Sequence, residues 1–212
     1  GVRRVVDLCA APGSWSQVLS REVYHGGSNY SIDGEDKPII VAVDLQEMAP
    51  IDGVIQLQGD ITSEATATAI IDHFKGDTAD LVVCDGAPDV TGLHDVDEFV
   101  QAQLLLAALN ITTHVLRPGG SFVAKIFRGK DVTLLYSQLR VFFKRVTLAK
   151  PKSSRNSSIE AFVVCEDYAP PEGYVPTMSS HLEDFAYGED NEEVGLHRVV
   201  VPFVACGDLS GY

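Results

Sequence analysis

Several class-defining features are missing from this chain. No hydrophobic run is long enough to cross a membrane, and the opening residues lack the shape of a secretory signal. Cysteine is scarce. Cys9, Cys84, Cys165 and Cys206 stand far apart, mostly inside apolar runs, and no C-x-x-C pair occurs. That spacing argues against a disulfide framework and fits reduced core residues of a cytoplasmic or nuclear protein. The six histidines form no spaced pair of the zinc-binding kind, so no metal site is expected. The dinucleotide pattern G-x-G-x-x-G is absent, and so is the Gly-Lys-Ser/Thr end of a P-loop. There is no internal repeat and no heptad run.

What is present is an ordinary globular composition over 212 residues, 45% hydrophobic. That is enough for one domain, or one domain and a tail, with a sizeable core. Sixteen Lys and Arg against thirty Asp and Glu give a net charge of -14, which by itself disfavours nucleic acid. The charge is unevenly distributed. From Arg117 to Arg155 there are ten cations and one acid, Asp131, so this stretch carries +9 and the remainder -23. A basic stretch in an acidic protein can track a phosphate backbone, though the Arg140, Lys144 and Arg145 group also reads as a solvated helix face. After Tyr168 the character changes. Pro170-Pro171 interrupts the pattern, and Glu166–Glu193 holds nine acids and no Lys or Arg. Residues 169–212 read as an acidic tail, with Val199–Cys206 as a candidate docking strand or an extra strand of the domain itself.

The chain is organised around its opening, Val5-Val6-Asp7-Leu8-Cys9-Ala10-Ala11-Pro12-Gly13-Ser14-Trp15-Ser16-Gln17. An apolar run ends in small residues, turns at Pro12-Gly13 and becomes helix-compatible. This predicts the strand, turn and helix that start a nucleotide-binding α/β sheet, although an ordinary βα turn would read the same way. Ligands of such sheets sit beyond the carboxyl ends of the strands, and Ala10, Ala11 and Gly13 permit close backbone approach. With no phosphate fingerprint, and with bulky Trp15 nearby, a cofactor without phosphates fits better. S-adenosylmethionine is the obvious one.

Strands are predicted over Val2–Ala10, Ile39–Val43, Val54–Gln58, Ala79–Cys84, Ser121–Phe127, Arg145–Ala149 and Ser158–Glu166. Helices are predicted from Ser14 to Arg21 and over Glu64–Phe74, Asp95–Leu116 and Asp131–Phe143. The alternation predicts a doubly wound, seven-stranded, mostly parallel sheet with helices on both faces, a Rossmann-like α/β fold. Three strands end in acids. Asp44 can accept hydrogen bonds from ribose hydroxyls. Asp60 can face an adenine or cap the following helix. Asp85 opens Asp85-Gly86-Ala87-Pro88-Asp89. Lys125 interrupts an apolar strand, either as a functional cation or as a strand-edge lysine snorkelling to water. Glu160 lies near the start of the last strand. Asp85, Lys125 and Glu160 suit proton removal from a weakly acidic hydroxyl. They are no nucleophilic triad, because there is no Ser-His pair.

Four segments in this order resemble the FtsJ/RrmJ-type ribose 2′-O-methyltransferases: Asp7–Gln17, Asp85–Asp89, Ala124–Phe127 and Ser158–Phe162. The longer runs Asp85–Glu98 and Lys150–Phe162 look most like the eukaryotic branch that methylates the tRNA anticodon loop. The resemblance covers Val2–Tyr168, and faintly Val199–Leu209. It implies a methyltransferase domain over 1–168 with Lys125 as proton acceptor for the 2′-hydroxyl and Glu160 orienting it. Asp85 would sit beside the cofactor amino group and the substrate. Gly13 and Trp15 would hold the methionine portion, Asp44 the ribose and Asp60 the adenine end. No metal is implied. A tRNA substrate and a larger protein subunit that selects the nucleotide are implied as partners. Asp85, Lys125 and Glu160 match the second to fourth members of the family's K-D-K-E tetrad. The first lysine belongs to a helix before strand one, and this chain begins at Gly1, so no residue here takes that role and the domain is expected to lack its N-terminal flank. The competing readings are a 2′-O-methyltransferase of rRNA or an mRNA cap, a catalytically silent cofactor-binding scaffold and, more distantly, an NAD-dependent oxidoreductase.

Overall fold

The computed structural model describes residues 1–26, 37–88, 92–127, 132–152, 154–155 and 158–178. Asp89, Arg128, Lys130, Asp131 and the candidate docking strand 199–206 lie outside them. The elements are β1 (Arg4–Leu8), α1 (Ser14–Leu19) continuing as a π-helical stretch over Ser20–His25, β2 (Ile39–Asp44), β3 (Val54–Gln58), α2 (Glu64–His73), β4 (Ala79–Cys84), α3 (His94–Val115), β5 (Leu116–Phe127), α4 (Val132–Phe142), β6 (Phe143–Ala149) and β7 (Glu160–Tyr168). Among the described residues no helix is long and apolar enough to cross a membrane.

One seven-stranded sheet runs in the order β3-β2-β1-β4-β5-β7-β6. The pairs β1–β2, β2–β3, β1–β4 and β4–β5 are parallel. The chain winds outward from β1 to β3, then returns to lay β4 on the other side of β1. Between β1 and β4 the winding reverses, and such a switch point opens a crevice at the strands' carboxyl ends. β7 is antiparallel to both β5 and β6. It therefore begins at the rim where β5 ends, and Phe127 pairs with Glu160.

The two sheet faces are packed differently. Val6, Leu8, Val82, Cys84, Phe122, Ala124, Ile126, Val163 and Cys165 point to one face and join Ala67, Ile70 and Phe74 of α2, Leu105, Ala108 and Leu109 of α3, and Leu139 and Phe142 of α4 in one buried core. Val5, Ile40 and Val83 point to the other, against Leu19 and Trp15 of α1 and Val23 and Tyr24 of its π-helical continuation. Helices thus cover both faces, as the alternation predicts.

Several boundaries move. β1 starts at Arg4, because the backbone N–H groups of Arg3 and Arg4 are held by the Asp80 carboxylate at 2.8 and 2.9 Å. The long helix ends at Val115, and β5 begins at once with Leu116 in an extended conformation. The residue before a proline is pushed out of the α region, so Pro118 favours this early switch at Arg117. The β4–β5 register then shifts between Ala79 and Leu81. The π-helical widening after Leu19 has no marker in the sequence.

Candidate active site

The first turn beyond β1 is shaped by small residues. Cys9 has φ 55° and Gly13 φ 108°, and the Ala11–Pro12 peptide is cis. The Gly13 N–H donates to Ala10 O at 2.7 Å, and the Ala10 N–H to Val43 O at 3.1 Å. A Cβ at Gly13 would come within 2.8 Å of Ile51 Cδ1 and sit on a backbone that L-residues rarely adopt, so only glycine serves here. Asp44, at the end of β2, fastens this turn. Its Oδ2 accepts the Ala11 N–H and its Oδ1 the Gln46 N–H, both at 2.9 Å. Asp60 is exposed and accepts both the N–H and the hydroxyl of Thr62 through Oδ1, at 2.8 and 2.7 Å. Its helix-capping reading therefore fails. The residue at the N-cap of α2 is Ser63, and the Asp60 side chain closes the turn ahead of it.

Beside this turn lies an acid that the motif reading passed over. Asp7 sits in β1 with no exposed surface. Its Oδ2 accepts the Ser16 hydroxyl at 2.5 Å, while its buried Oδ1 has no hydrogen-bond partner. Burial pushes its carboxyl up to about 6, the Ser16 hydrogen bond works against that rise, and the charges of Asp85 and Asp44 add to it. The available signal was an ionisable residue inside an apolar run, the same signal that marks Lys125.

On the β4–β5–β7 side the three expected residues meet. Lys125 Nζ lies 3.0 Å from Asp85 Oδ1 and 3.7 Å from Glu160 Oε1. The Lys125 side chain is only 14% exposed, against 33% for Asp85 and 50% for Glu160. The topology explains the meeting. Asp85 follows the last β4–β5 pair, Cys84–Ala124, and Lys125 follows Ala124 on the neighbouring strand. Glu160 arrives because β7 runs backward. The β6–β7 connection is held by Lys150 Nζ donating to Ser158 O at 2.7 Å, and the Glu160 N–H donates to the Ser158 hydroxyl at 3.2 Å. Trp15 packs against Phe162 with ring centroids 5.5 Å apart, and Phe162 is the β7 partner of Lys125. Trp15 therefore reaches the sheet face that carries the lysine. Gly86 is glycine for want of space, since a Cβ there would lie 2.9 Å from both Cys9 Cβ and Leu104 Cδ2.

Three cations of the basic stretch are neutralised by acids that lie outside it. Arg117 pairs with Asp80 at 2.6 Å, Lys144 with Asp167 at 3.2 Å and Arg145 with Glu166 at 3.3 Å. Lys125 belongs to the site. Of the other cations in the stretch, Lys152 and Arg155 are exposed. Arg128 and Lys130 lie outside the described residues. Among the described residues no group of three or more His, Cys, Asp or Glu is placed to hold a metal.

Comparison with known proteins places this geometry. Residues 1–168 match the model of the FtsJ-like methyltransferases. The whole chain is 67% identical, over 213 positions, to a Homo sapiens protein named tRNA (cytidine(32)/guanosine(34)-2′-O)-methyltransferase, and spans 62% of that relative's length. Among solved structures, a ribosomal RNA methyltransferase from Plasmodium falciparum shares the fold with a TM-score of 0.68 at 22% identity, over 80% of this chain and 88% of that one. Human methyltransferase-like protein 13, solved in complex with SAH, does so with a TM-score of 0.52 at 15% identity, over 92% and 87%.

Proposed function

The chain belongs to the FtsJ-like methyltransferase family, and on that premise we propose that it methylates ribose 2′-hydroxyls in the tRNA anticodon loop, using S-adenosylmethionine, with Lys125 as the proton acceptor. The observation that carries this reading is Lys125 Nζ held between Asp85 and Glu160 at the carboxyl rim, next to the switch point of the sheet.

The residues at the rim fit the cofactor. Asp44 and Asp85 make its wall acidic, and the buried Asp7, whose Oδ1 is an acceptor without a partner, lies close enough for their charges to act on it. Such a wall suits a ligand carrying an ammonium and a sulfonium. S-adenosylmethionine, when bound, supplies an electrophilic methyl group. Gly13 and its turn admit the methionine portion, and Trp15 closes that side. Asp44 has lone pairs left for ribose hydroxyls beyond the two backbone N–H groups it already accepts. Asp60 borders the adenine end. Lys125, in its neutral form, takes the 2′-hydroxyl proton on Nζ. Asp85 and Glu160 aim that amine. Placing the amine in advance removes the cost of orienting it during the reaction.

The tRNA is engaged together with a larger protein subunit that selects the nucleotide. Net charge supports this. At -14, with several of its cations paired internally, the chain supplies little of the phosphate attraction that dominates nucleic-acid affinity. The human relative's name specifies cytidine 32 and guanosine 34, and we assign the same two positions to this chain.

The test is methyl transfer from labelled S-adenosylmethionine to unmodified tRNA by the full chain with its partner, read by nucleoside mass spectrometry. We expect 2′-O-methylated nucleosides at those two positions, lost when either ribose is replaced by 2′-deoxyribose. Methyl groups on a base, or transfer to ribosomal RNA alone, would overturn the assignment. Cofactor binding without transfer to any RNA tested would favour the scaffold instead.

A further inference from the structure

The pair of strands carrying Asp85 and Lys125 comes apart at the site. Their last paired residues are Cys84 and Ala124, so the carbonyls of Gly86 and Lys125 lie beyond the ladder. One side chain takes both. Gln101 of α3 is 3% exposed, and its Nε2 donates to Gly86 O at 3.1 Å and to Lys125 O at 3.0 Å. Its Oε1 is buried and has no hydrogen-bond partner. The amide is therefore committed as a double donor across the fork, at the cost of an unpaired acceptor. Asp97, one helical turn earlier, is also buried and accepts the Gly92 N–H at 3.3 Å, which anchors the start of α3. The next positions along that inward stripe, Leu105, Ala108 and Leu109, are apolar, and the buried Thr112 beyond them satisfies its hydroxyl locally on Ala108 O at 2.6 Å. Packing alone would be met better by an apolar side chain, which leaves no orphan.

We propose that Gln101 is a positioning residue for the Lys125–Asp85 pair. It fixes the backbone of both strands at the point where they separate, and so keeps Lys125 Nζ against Asp85 Oδ1. Gln101 touches neither substrate nor cofactor and acts through the two residues it braces. The catalytic half of this inference rests on the reading of Lys125 as proton acceptor. The positional half does not.

The experiment compares Gln101→Met, which keeps length and loses the amide, with Asn110→Leu. Asn110 is another buried polar residue of α3, and it donates instead to Met178 Sδ at 3.5 Å. Both variants are made in the full chain, alongside Lys125→Ala. Three quantities are read: melting temperature, the 13Cε resonance of Lys125 in lysine-labelled protein, and kcat and KM for tRNA methylation. Gln101→Met should move the Lys125 resonance and lower kcat by about 10–10²-fold, leaving KM for tRNA and S-adenosylmethionine affinity unchanged. Asn110→Leu should lower the melting temperature without moving the resonance. If Gln101→Met leaves the resonance in place, the proposal is overturned, whatever happens to stability. If the resonance moves but Lys125→Ala still turns over, the positioning stands and the proton-acceptor reading fails. If Lys125→Ala is inactive while Gln101→Met keeps full kcat, the positioning has no catalytic consequence and that half is overturned.

Discussion

The two faces of the central sheet are built from the same strands and do different jobs. On β5, Phe122, Ala124 and Ile126 point into the face closed by α2, α3 and α4 and are almost wholly buried. Between them Val123 and Lys125 point to the other face and keep part of their surface exposed. On β7 the same alternation sets Ala161, Val163 and Cys165 against Phe162 and Val164. A shift of one position along the strand therefore separates a residue that supports stability from one available for chemistry. A strand's period of two makes this possible, because neighbours never share a face.

The comparison breaks most visibly under truncation. Phe122→Ala, on the closed face, should cost about 3–5 kcal/mol in denaturant unfolding. Val123→Ala, on the open face, should cost less than half as much. Equal costs would mean that the faces are packed alike.

Next in size is the buried carboxylate on the open face. Asp7 is raised from 3.8 to about 6 by burial. A group raised on folding contributes stability that is fully present below its unfolded value and is lost as pH rises through its folded value. Between about pH 3 and 7 the protein should lose about 3 kcal/mol through this residue. Asp7→Asn should flatten that part of the profile, and chemical denaturation of both proteins across the range isolates the difference. An unchanged slope in the variant would show that Asp7 does not titrate there.

Gly86, just beyond the end of β4, should respond less. Gly86→Ala forces a methyl group against Cys9 on one side and Leu104 on the other, at about 1–3 kcal/mol. Because Gly86 follows Asp85, methyl transfer should fall alongside the melting temperature. The smallest effect belongs to the exposed pair Lys144–Asp167. Removing it should change stability by about 0.2–1 kcal/mol at most, and by less still in high salt.

Much of this arrangement is legible in the sequence, for identifiable reasons. β3 and β4 have the predicted bounds because each is a short run rich in β-branched and aliphatic residues, closed by Gly59 and by Asp85. Lys125, Asp85 and Glu160 stand out because a charge at a strand end or inside an apolar strand is costly without a purpose. Other features are hidden. Asp7 carries the same signal but merges with the motif that follows it. Gln101 is one polar residue among several in a 22-residue helix. Only its position one turn after Asp97, on a stripe continued by Leu105 and Ala108, sets it apart. The placement of β7 between β5 and β6 is a matter of strand order, which alternation does not encode. The short polar β6–β7 connection, for which the sequence predicts no helix, is its one local trace, since parallel neighbours need a crossover. The role of Asp60 turned on which backbone N–H its carboxylate reaches, and spacing alone does not decide that.

The most direct test of the account is the single-turnover rate of methyl transfer to tRNA at saturating S-adenosylmethionine, measured for the full chain with Lys125 intact and as Lys125→Ala, with cofactor affinity measured in parallel by calorimetry. The account predicts a rate about 10²–10⁴-fold lower in the variant and an unchanged cofactor affinity. A variant that binds the cofactor normally and transfers methyl groups at close to the original rate would contradict it.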